Sequence, residues 1–247
     1  MALTISSAGN GVSVTNNTTV ATGATVTAAI GDTLLVCVAA ANSGTNGVAR
    51  TATVADGTAN VYTQRGTTGN YTAGTASDGA SQFFFECPVT ATLTNATVTV
   101  TFSGNSSEKA MEVYKMVPAA GTRVKYESVG TASVGAAATT HSATTVSVSQ
   151  THTIFAMAAI ETDDTVTGDS DTTNGSWSTV STRLADAGAD AVTMGCTSQY
   201  KTAVTATGNQ AWAATTVTGR DSARNTIIYS EDRFLVAAAG SYAVTGT

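Results

Sequence analysis

The stretch Thr97-Val98-Thr99-Val100-Thr101-Phe102 decides the fold class. Its apolar residues Val98, Val100 and Phe102 recur with a period of two. That period places them on one face of an extended chain and the threonines on the other. A half-buried antiparallel strand needs this arrangement, and β-branched threonine suits the solvated face. The same alternation runs through most of the chain. Asp56-Gly57, Asp78-Gly79 and several Asn-Gly pairs supply tight-turn signals between the runs. No segment carries the 3.6-residue period of an amphipathic helix, so the sequence predicts an all-β protein.

Working outward, the pattern recurs at a fixed distance. Val89–Gly104 aligns without a gap on Val204–Gly219, and at the same offset of 115 Ser107 meets Ser222 and Tyr114 meets Tyr229. Asn60-Val-Tyr62-Thr meets Gly175-Ser-Trp177-Ser. Upstream, Thr33-Leu-Leu-Val-Cys-Val-Ala aligns with Thr153-Ile-Phe-Ala-Met-Ala-Ala at an offset of 120. The reading is an internal duplication of about 115 residues. It predicts a first β-sandwich half over 1–117 and a second over 118–247. Strands are expected near 24–29, 33–41, 60–65, 82–90, 96–103 and 109–117, with counterparts in the second half. Two such halves stand as tandem sandwiches or interlock as one two-sheet, jelly-roll-like antiparallel β-sandwich. Because Arg123-Val-Lys-Tyr-Glu-Ser-Val129 reads as a strand rather than a linker, the interlocked form is favoured. Residues 1–20 and 230–247 fall outside the repeat. The apolar end, Phe234-Leu-Val-Ala-Ala-Ala-Gly-Ser-Tyr-Ala-Val, reads either as a closing edge strand or as an arm adding a strand to a neighbouring subunit.

Composition narrows the function classes. Of 247 residues, 49 are Thr, 43 Ala and 23 Gly, and only 11% are charged. The apolar fraction of 42% supports a proper core and opposes disorder. Eleven Lys+Arg against seventeen Asp+Glu give a net charge of −6. The lysines Lys109, Lys115, Lys125 and Lys201 are scattered, so no basic footprint for nucleic acid exists. No apolar run approaches the length of a membrane-spanning helix. The first residues lack the basic and apolar regions of a classical signal peptide. Cys37, Cys87 and Cys196 form no CxxC pair and read as free, structural thiols.

Motifs for chemistry are few. There is no GxSxG elbow, phosphate-binding glycine loop or HExxH. His141 and His152, the two histidines, read as ordinary strand or loop residues. Five carboxylates fall between Glu161 and Asp171, and Asp169-x-Asp171-x-x-Asn174-Gly175 half resembles a calcium loop without its distant bidentate glutamate. A solvated loop explains the same cluster. Phe83, Phe84, Phe85, Phe102 and Phe155 read as core. Tyr62 and Trp177, at matched repeat positions, suggest a shared packing role. No catalytic, cofactor-binding or metal residue is assigned.

The order of motifs carries a resemblance. Asp32-Thr-Leu-Leu-Val-Cys-Val-Ala-Ala-Ala41, Asp56-Gly-Thr-Ala-Asn-Val-Tyr-Thr63, Phe83-Phe-Phe-Glu-Cys87 and Val98-Thr-Val-Thr-Phe-Ser-Gly104 follow one another. Together they resemble a β-sandwich family common in tailed-phage structural proteins and in some bacterial surface proteins, over roughly residues 20–230. The Thr/Ala/Gly-rich, lysine-poor composition is similar to that of capsid decoration (cement) and tail proteins. The resemblance implies a non-enzymatic virion protein that needs no cofactor and assembles in the host cytoplasm. It would bind the major capsid protein or other virion subunits, commonly as a homotrimer, and touch neither nucleic acid nor membrane. The alternative is a tail-fibre or receptor/carbohydrate-binding sandwich module.

Overall fold

A computed structural model describes residues 3–41, 50–71, 79–144, 150–186, 188, 193–205 and 210–233. All regular structure among them is β-strand. One sheet runs β1 (Thr4–Ser13), β10 (Lys109–Val117), β4 (Thr33–Ala41), β7 (Ala80–Pro88) and β6 (Thr63–Asn70), in that lateral order. A second sheet runs β11 (Thr122–Val129), β16 (Ala211–Arg233), β13 (His152–Glu161), β15 (Met194–Val204) and β14 (Ser181–Ala185). Here β12 (Ser133–Thr144) pairs with β16 as well. Two smaller sheets complete the described residues: β2 (Asn17–Ala21), β9 (Thr99–Ser106) and β5 (Ala52–Ala55) in one, and β3 (Val26–Ala28) with β8 (Leu93–Ala96) in the other. Every ladder between strands is antiparallel.

The two large sheets pack face to face, and their residues interleave by the two-residue period. Leu35, Cys37 and Ala39 of β4 meet Phe155, Met157 and Ala159 of β13 in a central core. The alternate residues Leu34, Val36 and Val38 point the other way, into a second core closed by Val20, Val26, Leu93, Val98 and Phe102 of the small sheets. The alternate residues of β13, Ile154, Ala156, Ala158 and Ile160, enter a third core with Trp177, Trp212 and Ile228. Burial on both faces is why β4 and β13 read as continuous apolar runs while Thr97–Phe102 alternates. In that stretch Val98, Val100 and Phe102 are buried, as the period requires.

Several expected elements take different bounds. The strand expected over 60–65 begins at Thr63, because Asp56–Tyr62 forms a side-chain-stitched turn instead. The strand expected over 96–103 is divided between β8 and β9, with Asn95 at φ 50 just before the break. Residues 4–13, set outside the repeat, form β1, which occupies the same edge position in the first sheet that β11 holds in the second. The C-terminal arm, 234–247, lies outside the described residues.

Candidate functional site

The open flanks of the central sandwich hold two clefts. The first, of about 600 Å³, is walled by Ile30, Asp32, Arg65, Pro88, Pro118 and Tyr126 among others. Arg65 on β6 donates from Nε to Glu86 Oε2 at 2.7 Å, and its guanidinium lies 4.4 Å from the centre of the Tyr126 ring on β11. Burial opposes the Arg65 charge, but the Glu86 contact outweighs it and raises the pKa. Tyr229 Oη, 3.5 Å from the same Glu86 oxygen, ties the second sheet to this pair.

The second cleft, of about 470 Å³, lies between β1 and β14 and is lined by Ser7, Glu112, Ser178, Thr179, Arg183 and Tyr200, with their neighbours. Glu112 has no exposed surface. Its carboxylate accepts from Ser7 Oγ at 2.5 Å, Arg183 Nε at 2.5 Å and Ser181 Oγ at 3.4 Å. The hydrogen bond to Glu112, acting against burial, raises the pKa of Arg183. Tyr200 is braced edge-on by Tyr114 at 5.8 Å and tilted against Phe155 at 5.7 Å. Tyr114 in turn shares a 2.8 Å hydrogen bond with Ser198.

The histidines occupy separate buried places. His141 on β12 contacts Ser222 Oγ through Nδ1 at 2.9 Å and Thr216 Oγ1 through Nε2 at 3.1 Å. Burial, helped by nearby Arg224, lowers its pKa to about 4, so the ring is neutral. A Ser–His pair of this kind resembles a nucleophile and its base, but both residues have no exposed surface. His152 hydrogen-bonds the Gln150 carbonyl at 2.7 Å. All three cysteines are free and buried, and burial raises each thiol's pKa.

The acidic loop is dispersed onto different partners. Glu161 accepts from the Gly79 amide, Asp164 from the Thr218 amide and Asp169 from the amides of Asp171 and Ala213. Asp171 accepts from the Thr173 amide at 3.0 Å and pairs with buried Lys201 at 3.0 Å. Those contacts, led by the Thr173 amide, hold its carboxyl at about 2. Among the described residues no group of three carboxylates, histidines or cysteines is arranged to hold a metal ion. Tyr62 packs against the second core and donates to Asp56 at 3.0 Å, while Trp177 sits in the third core.

Sequence reasoning passed over Glu112, Arg183 and Tyr200. The available signal was a lone acid in the apolar run Met111-Glu112-Val113, since a buried strand carries a carboxylate only with a partner. Compared with protein-family models, with curated proteins and with solved structures, the chain matches none of them.

Proposed function

We propose that this chain is a non-enzymatic structural protein of a tailed-phage virion: a capsid decoration (cement) protein that binds the outer shell and stabilises it. In this reading it assembles in the host cytoplasm as a homotrimer on the major capsid protein. The observation that carries it is mechanical. A five-stranded and a six-stranded sheet back to back, each with a further core on its outer face, make a stiff block that, among the described residues, ends laterally on β1, β6, β11 and β14, the strands this reading would use for docking. Shell reinforcement requires rigidity and contact area rather than reactive groups, with apolar burial contributing ~25 cal/mol per Å² before association costs.

The same reading includes a jelly-roll-like fold built by internal duplication. The lateral order β1-β10-β4-β7-β6 supports it, because β11-β16-β13-β15-β14 repeats that order element for element. The β2–β9 and β5–β9 pairings are matched by β12 with the first part of β16 and by the Thr167–Thr215 bridge. Within the first half, the order β1-β10-β4-β7 opposite β2-β9-β5 supports the jelly-roll reading, with β6 lying on the larger sheet. Light scattering on the purified chain, followed by cryo-electron microscopy of undecorated phage shells mixed with it, tests the function. A mass three times the 24.7 kDa chain and ordered density on the shell are the expected results. A monomer that leaves shells bare overturns the reading.

A further inference from the structure

The geometry points to the cleft between β1 and β14 as a binding site for an uncharged saccharide. The cleft rests on a fixed polar base. Glu112 lies fully buried beneath it and holds Arg183 through Nε, while Ser7 and Ser181 hydroxyls complete the carboxylate's contacts. The guanidinium is thereby pinned in one orientation with its side chain one-third exposed, at 33%. Arg183 lines the cleft, its Nη nitrogens are donors beyond the Nε contact with Glu112, and a donor already immobilised loses little freedom when it binds.

The remaining wall matches a sugar's two kinds of surface. Exposed Thr179 contributes a hydroxyl able to donate and to accept, while Ser178 Oγ is already committed to the Thr179 carbonyl and the Tyr200 amide, and Thr182 Oγ1 to Thr197. Tyr200, held by Tyr114 and Phe155, contributes a braced aromatic ring for the C–H face of a pyranose. Glu112 and Arg183 are the charged residues among the lining, and their charges cancel. A neutral polyol therefore fits better than an anion, which would meet Glu112 beneath the guanidinium. The volume of about 470 Å³ lies in the range of small-ligand clefts. The cleft beside Tyr126 differs: Arg65, Arg123 and Lys125 outnumber its acids, and much of its wall is aliphatic. The inference does not rest on the virion reading, and shell binding does not report on it.

Saturation-transfer NMR on the full chain tests it, using glucan, mannan and N-acetylglucosamine trisaccharides beside sialyllactose. At least one uncharged trisaccharide is expected to bind at millimolar concentration. Thr179→Glu, an exposed substitution at the mouth that leaves the core untouched, should weaken that binding about tenfold. Tyr200→Phe should weaken it less, and Arg65→Ala in the other cleft should leave it unchanged. The proposal is overturned by no uncharged trisaccharide binding, by preference for sialyllactose, or by binding that survives Thr179→Glu.

Discussion

Glu112 on β10 and Arg183 on β14 form an ion pair of 2.5 Å that joins the two large sheets at one flank of their shared core. The partners are unequal, since Glu112 is wholly buried and Arg183 is one-third exposed. Removing the arginine strands a carboxylate in the interior, whereas removing the carboxylate lets the guanidinium turn to water. Arg183→Ala should therefore destabilise the fold by about 3–5 kcal/mol, and Glu112→Gln by less. A double-mutant cycle read by urea denaturation should give a coupling above about 1 kcal/mol. Coupling near zero would mean that the two sheets are held at this flank by packing alone.

Asp56 organises the turn that displaces the start of β6. It accepts from the Thr58 amide at 2.9 Å, Thr58 Oγ1 at 2.6 Å, Asn60 Nδ2 at 3.0 Å and Tyr62 Oη at 3.0 Å. Burial opposes its ionisation, but these hydrogen bonds win and lower the carboxyl's pKa. A depressed acid stabilises the fold above its unfolded pKa and loses that contribution as pH falls. Asp56→Ala should cost about 2–4 kcal/mol at neutral pH and less near pH 3. Thermal melts of wild type and variant at both values check this, and a pH-independent gap would sink it.

His141 gives the fold a second, milder acid sensitivity. Its pKa of about 4 in the folded chain lies below the ordinary 6.5, so the unfolded chain binds the extra proton between those values. Stability must then fall as pH drops from 6.5 towards 4, by on the order of 2–3 kcal/mol. His141→Gln keeps a polar side chain between Ser222 and Thr216 but cannot take up the proton. Urea midpoints at pH 7 and pH 4.5 should converge between variant and wild type as acid is added. Parallel losses in the two proteins would remove His141 as the cause.

Much of the frame was legible because local pattern and final environment agree. Thr33–Ala41 and Lys109–Val117 appear as strands at the residues that periodicity assigns, since both are lined with apolar side chains. β1 was not legible: Thr-Ile-Ser-Ser-Ala-Gly-Asn-Gly-Val-Ser has little alternation, and its extended form comes from nine-residue pairing with β10. β16 hid for another reason. Its 23 residues pair with β12 early, β13 centrally and β11 late, so one strand does the work that β9 and β10 divide. The second cleft was least legible, because Glu112 and Arg183 meet only when two sheets distant in sequence are packed together.

The three thiols offer a readout of how that packing comes apart. Burial raises the pKa of each, so a disulfide reagent meets few thiolates until the surrounding structure opens. Cys37 and Cys196 lie in the core between the two large sheets, with Cys196 Sγ 3.6 Å from the Cys37 carbonyl oxygen. Cys87 faces the other way, under the small sheets, where β3 has three residues and β8 four. Short strands with few ladder hydrogen bonds open at lower free energy than the core shared by the two large sheets. In native buffer Ellman's reagent should find almost no reactive thiol, and in full denaturant it should find three per chain. At intermediate urea, mass spectrometry of the labelled chain should show Cys87 modified severalfold faster than Cys37 or Cys196. Equal rates at all three would mean that the small sheets and the central sandwich unfold as one cooperative unit.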